Sequence, residues 1–193
     1  MHTSDSINRR TDKLVDLQLA AKELELQKEL IKALAIEGEK QELIQATQIE
    51  DPALLSRLLK AGFCSETLSA LELVPIAFIA WASGSVTHPE RKVVVGSLVD
   101  YGILVSRASN DRFQGWLDTR PDRGLFLLWK DYTTAKLSSV GCEVRHAIGI
   151  RLLKKSTEVA MASGGLLGFG TICDAEQVIL DEISEVFWLN EFS

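Results

Sequence analysis

The chain has 193 residues, 46% of them hydrophobic and 25% charged, with a formal net charge of −6. That length supports one substantial core, and the charge is too modest for a disordered chain. It also argues against nucleic acid as a partner: phosphate neutralisation needs clustered Lys and Arg, and the densest basic patch, Arg151, Lys154 and Lys155, reads as a solvated helix face.

From Arg9 to Gln48 the residues are strong helix formers, interrupted only by Gly38, which predicts one long helix or two. Leu14, Leu17, Ala21, Leu24 and Ile31 fall on heptad a and d positions, with Lys28 at an a position, while Leu19, Leu26 and Ala33 make a second stripe. Leu17, Leu24 and Ile31 are expected to pack on the domain. Leu19, Leu26 and Ala33 are expected to stay accessible, for dimerisation or for recruiting a protein partner. Residues 1–50 therefore read as a helical extension that packs on the domain or self-associates, and 51–193 as the domain itself.

Asp51-Pro52 opens the next helix, with Asp51 as N-cap, and Gly62 closes it. Ser65 and Glu66 start a helix through Leu68, Leu71, Val74, Phe78 and Trp81, with Pro75 expected to kink it. Thr87 and Glu90 have capping-box spacing, and the helix they open should end near Tyr101-Gly102. Asn110–Asp118 and Asp122–Ser138 are further helices, parted at Arg120-Pro121. A long helix from Cys142 to Ala162 should bury Val144, Ile148, Leu152, Val159 and Ala162. Asp174 is expected to cap the last helix, whose stripe is Ile179, Ile183, Val186 and Phe187. Period-2 alternation is absent, so the fold class is all-α, a compact bundle of about seven to eight helices.

One phrase occurs twice: Ala80-Trp81-Ala82-Ser83-Gly84 and Ala160-Met161-Ala162-Ser163-Gly164 each close an apolar helical run. Val86-Thr87-His88-Pro89-Glu90 follows the first, and Ile172-Cys173-Asp174-Ala175-Glu176 the second after a longer loop. A helix–loop–helix unit is thus used twice, around 65–103 and 142–188. Gly84 and Gly164 are expected to end their helices in the left-handed region.

The glycine-rich run Gly164 to Gly170 meets a helix start, as a phosphate cradle would, but Thr171-Ile172-Cys173 follows it where a P-loop needs Lys-Ser/Thr, and a helix precedes it where a dinucleotide fingerprint needs a strand. Cys142 and His146 share a helix face, the geometry of a thiol and its base or of a metal clip. With no third member, a buried structural cysteine beside a hydrogen-bonded histidine is the preferred reading. Neither Ser83 nor Ser163 lies in a nucleophile elbow. No catalytic residue is assigned, and a non-enzymatic role is expected.

Cys64, Cys142 and Cys173 form no CxxC pair, and an odd count fits a reducing compartment. Thr3 to Lys13 lacks the apolar core of a signal peptide, which points to the cytoplasm. No apolar stretch reaches the ~20 residues of a spanning helix, which leaves peripheral membrane association open.

Leu73 to Val86, continuing through Glu90-Arg91 to Tyr101-Gly102-Ile103, resembles the TerB-like domain of tellurite-resistance and stress-response proteins, and Ala160 to Phe187 resembles the same unit. The resemblance implies a compact helical bundle with internal pseudo-symmetry, acidic loop residues associated with divalent metals, and work in membrane-associated stress and phage-defence complexes. The family's loop aspartate is here Ser83 and Ser163, a poor substitute on a hard cation. The implied role is a non-catalytic protein-interaction module. The alternatives are a divalent-cation sensor using Asp174, Glu176 and Glu90, with a weakly held divalent cation as the only cofactor implied, and, behind it, a thiol enzyme using Cys142 and His146.

Overall fold

The computed structural model describes residues 3–100, 106–162 and 172–188, without side chains at 3–17 and 97–100. The chain divides into two units, 1–41 and 42–193. Helix-forming composition carries α1 (Thr3–Thr47) straight through Gly38. Every side chain from Gln18 to Glu39 on it is exposed.

The second unit begins with the end of α1, where Leu43 is fully buried. Thr47 Oγ1 donates to Leu43 O (2.7 Å) and accepts from the Ile49 N–H (3.1 Å), which ends the helix and turns the chain. Asp51 Oδ1 accepts from the Ala53 N–H at 2.8 Å and Pro52 sits in the first turn of α2 (Pro52–Lys60), as expected.

Pro75 does not kink a long helix. Leu68–Leu73 is a 3₁₀ segment, and α3 (Val74–Ala80) starts afresh with Pro75 in its first turn, where the missing N–H has no helical acceptor to satisfy. All seven residues of α3 are buried. Then come α4 (His88–Asp100), α5 (Arg107–Asp118), α6 (Arg123–Leu137), α7 (Cys142–Ala162) and α8 (Asp174–Trp188). The described residues thus hold eight α-helices, one 3₁₀ segment and no strand, the all-α bundle expected.

Helix α3 is the hub, packed against α4, α5, α6, α7 and α8. Its Phe78 meets Phe126 of α6 at 5.0 Å between ring centroids, and Phe126 meets Trp129 at 5.2 Å. The buried stripe of α7 corrects the expected one: Val144 and Ile148 are exposed, and the covered residues are Gly149, Leu152, Ser156, Val159 and Ala160. Small side chains admit a close crossing. A Cβ on Gly149 would stand 2.7 Å from Phe187 Cγ, so α7 and α8 meet there at a separation only glycine permits.

Three arginines close helix C-termini, where free carbonyls carry the negative end of the helix dipole. Arg112 donates to Ala61 O and Gly62 O beyond α2, Arg91 to Leu117 O of α5 (3.0 Å), and Arg145 to Leu137 O of α6 (3.0 Å).

Candidate functional site

The two hairpins, α3–α4 and α7–α8, place equivalent glutamates at equivalent atoms. Thr87 is the N-cap of α4, its carbonyl accepting from the Arg91 N–H at 3.0 Å; Cys173 is the N-cap of α8, its carbonyl accepting from the Gln177 N–H at 2.9 Å. Glu90 and Glu176 each stand three residues on. Glu90 Oε2 accepts the Thr87 N–H, and Glu176 Oε2 accepts the Cys173 N–H at 2.8 Å. Both are buried, at 0% and 1% exposure, which is unusual for carboxylates. Val86 and Ile172, just before the caps, are half-buried against the core.

The register of the repeat therefore holds at atomic level. Ile79 and Ala80 match Val159 and Ala160, all fully buried, and Val94 matches Leu180, both buried. Gly84 has φ +99°, the left-handed stop expected, whereas Gly164 and the glycine-rich run lie outside the described residues. Asp174 is not the cap: it is the first residue of α8 and is exposed.

The expected metal residues thus separate by role. Glu90 and Glu176 each use one oxygen on a backbone amide, and Asp174 lies at the surface. Glu90 Oε1 is buried and has no hydrogen-bond partner among the described residues. Among the described residues no three His, Cys, Asp or Glu side chains form a metal-holding group. Asp181 accepts from Gln177 Nε2 (2.7 Å), and Glu182 pairs with Arg123 and Lys130.

Cys142 is exposed, which corrects the expectation of a buried cysteine. His146 instead stacks on Trp188 at 5.8 Å with the rings 11° apart. Cys64 is half-buried, and a hydrogen bond with Thr67 Oγ1 at 3.5 Å lowers its thiol from the ordinary value.

Sequence reading missed a cavity of about 160 Å³ lined by Trp129, Tyr132, Leu152 and Phe187, with Arg151 and the Lys136–Glu72 ion pair among its polar lining. There Lys136 Nζ donates to Glu72 Oε1 at 2.7 Å, with the ammonium over the Tyr132 ring at 5.6 Å. Burial raises the Tyr132 hydroxyl above its ordinary pKa. Burial pushes the Lys136 ammonium down, but its hydrogen bond and attraction to Glu72 outweigh that and raise it. These groups come from helices far apart in sequence, so no local signal announces them.

On α1, Leu19, Leu26 and Ala33 are exposed. Leu24 at 53% and Ile31 at 68% are exposed along the helix as well; the Leu17 side chain lies outside those described. No helix of the described residues is long and apolar enough to cross a membrane. No protein-family model matches the chain, and no curated protein or solved structure matches it.

Proposed function

We propose that this chain is a non-catalytic, TerB-like helical interaction module, which works in a bacterial stress-response or defence setting by binding protein partners from the cytoplasm. The observation that carries the reading is α1. Leu19, Leu24, Leu26, Leu30, Ile31, Leu34 and Ile36 are each 40–68% exposed on a single helix. Apolar side chains gathered this densely on a water-facing surface mark a place where another chain binds. The TerB-like character draws on the repeated stop phrase and on the matched glutamate caps of the two hairpins.

Cross-linking in the native cell, read by mass spectrometry, tests it. Lys22, Lys28 and Lys32 should link to another polypeptide chain, and the links should fall away in the Leu19→Glu/Leu26→Glu double variant. Links from these lysines confined to their own chain would refute the reading.

A second reading, a divalent-cation sensor, draws on Glu90 Oε1, buried and without a partner among the described residues, since a carboxylate oxygen out of water needs a counter-charge or a donor. Titration calorimetry with calcium, magnesium, manganese and zinc decides it. Sub-millimolar binding lost in Glu90→Gln and Glu176→Gln would support it, and the absence of heat with all four ions would dismiss it.

A further inference from the structure

The cavity beside the Lys136–Glu72 pair lies within the second unit and draws its walls from four elements: Glu72 of the 3₁₀ segment, Trp129, Tyr132 and Lys136 of α6, Leu152 of α7 and Phe187 of α8. Its lining sorts by exposure. Trp129, Tyr132, Leu137, Leu152 and Phe187 are buried and supply rings and alkyl groups, whereas Glu72, Lys136 and Arg151 are exposed. The space therefore has an aromatic floor and a charged mouth, the arrangement of a small-molecule site.

The floor does not close on itself, because its rings are held from behind. Trp129 packs on Phe126 with centroids 5.2 Å apart. Phe187 stands against the bare backbone of Gly149, where a Cβ would lie 2.7 Å from its Cγ, and meets Trp188 edge-on at 6.0 Å. Walls kept apart in this way forfeit dispersion contacts that a guest of matching shape restores.

Size and charge choose the guest. About 160 Å³ is close to the ~150 Å³ of an apolar cavity that takes benzene, so the space admits one six-membered ring. At the mouth, Lys136 Nζ and Glu72 Oε1 neutralise each other at 2.7 Å, and an ionic guest must part them or enter an apolar space unpaired. Arg151, exposed at the rim, attracts an anion only through water. A neutral guest avoids that cost. One hydrogen-bond donor on it is served, since a carboxylate has several lone-pair sites and can accept a second donor beside the ammonium.

We propose that this cavity binds a neutral phenol-type ring, seated among Trp129, Tyr132 and Phe187 with its hydroxyl donating to Glu72. The same ring comes from two sources, a free phenol or the tyrosine side chain of a peptide. The site shares no residue with α1, so it stands or falls apart from the interaction-module reading.

Titration of the purified full chain with phenol, followed by calorimetry and nuclear magnetic resonance, tests it. Phenol should saturate with a dissociation constant below about 1 mM and shift the Trp129 indole signal, and benzene, lacking the hydroxyl, should bind about tenfold more weakly. Benzoate, equally flat but charged, should not bind. Ile148→Trp at the exposed edge of the mouth, and Leu152→Phe in the floor, should each abolish phenol binding while circular dichroism stays that of the wild type. Glu72→Ala should erase the preference for phenol over benzene and, by releasing Lys136, let benzoate in. N-acetyltyrosinamide distinguishes the sources: binding at least as tight as phenol assigns the ring to a peptide tyrosine, and weaker binding to a free phenol. No saturable shift at about 10 mM phenol, equal affinity for phenol and benzoate, or undiminished binding in a folded Ile148→Trp variant would overturn the inference.

Discussion

The α3–α4 and α7–α8 hairpins open their second helices with the same contact but differ in the cap residue and in the length and burial of their first helices. In the first, Thr87 Oγ1 also accepts from the Glu90 N–H at 3.4 Å, which makes the capping box reciprocal. In the second, Cys173 holds the N-cap position, and a thiol is a poor acceptor for that amide. The first hairpin enters on a seven-residue helix buried on every side, the second on a 21-residue helix with one covered stripe. What the two copies share is the carboxylate that satisfies the N-cap amide. A buried amide must find its acceptor locally, whereas helix length and stripe are set by whichever neighbours the helix meets.

The largest effect should come from the crossing that only the second hairpin has. Gly149→Ala places a methyl 2.7 Å from Phe187 Cγ, so α8 must shift, and thermal unfolding should show a loss of about 2–3 kcal/mol. Gly115→Ala on α5, where a Cβ meets nothing within 4 Å, should instead gain about 0.5–1 kcal/mol. Equal effects at the two glycines would erase the distinction.

The first hairpin has its own weak point in the backbone. Gly84→Val has room for its side chain but must hold φ near +99°, so it should lose about 1–2 kcal/mol in denaturant unfolding. A variant as stable as wild type would mean the loop can end its helix another way.

Completing the second box should bring the copies closer together. Cys173→Thr supplies the missing hydroxyl and should raise stability by about 0.5–1 kcal/mol, while Thr87→Ala should lose a similar amount. If Cys173→Thr is neutral and Thr87→Ala is not, the reciprocal bond matters only in the first hairpin.

The smallest effect concerns alkaline pH, and it falls on the second hairpin, whose Leu152 and Phe187 line the cavity beside Lys136. The Lys136 and Tyr132 pKa values both lie above their unfolded values of 10.5 and 10.0. Their contribution is therefore complete below pH 10 and disappears as pH rises through the raised folded values. Hydrogen exchange in α7 should accelerate above pH 10 more than in α4. Glu72→Gln, which keeps an acceptor oxygen but removes the negative charge that helps raise Lys136, should flatten that rise.

Local physics was legible in the sequence. The Asp51 cap, the Thr87–Glu90 box and the Gly84 stop each need only a few neighbouring residues, and all three stand as read. Pro75 was misplaced because a proline in a first turn and a proline in a helix interior look alike until the preceding 3₁₀ segment is known. The α7 stripe was misread through its large residues, Val144 and Ile148, when the true contact runs through Gly149, Ser156 and Ala160. A glycine in mid-helix was the available signal for that close crossing. Burial of Glu90 and Glu176, and the Lys136–Glu72 pair in the cavity, depend on elements that meet only in three dimensions.

The central position of α3 also governs how this protein comes into being. Each hairpin closes between neighbours in the chain, but the surfaces that cover α3 include α7 and α8, which lie far along the sequence. Local contacts form early, and distant docking comes last and limits the rate. During synthesis at roughly 5–20 residues per second, the segment from Ala80 to Trp188 keeps α3 waiting for on the order of ten seconds. For that interval a helix with no polar side is covered only in part, so Val74 to Ala80 is the stretch of the nascent chain that a holding chaperone would grip.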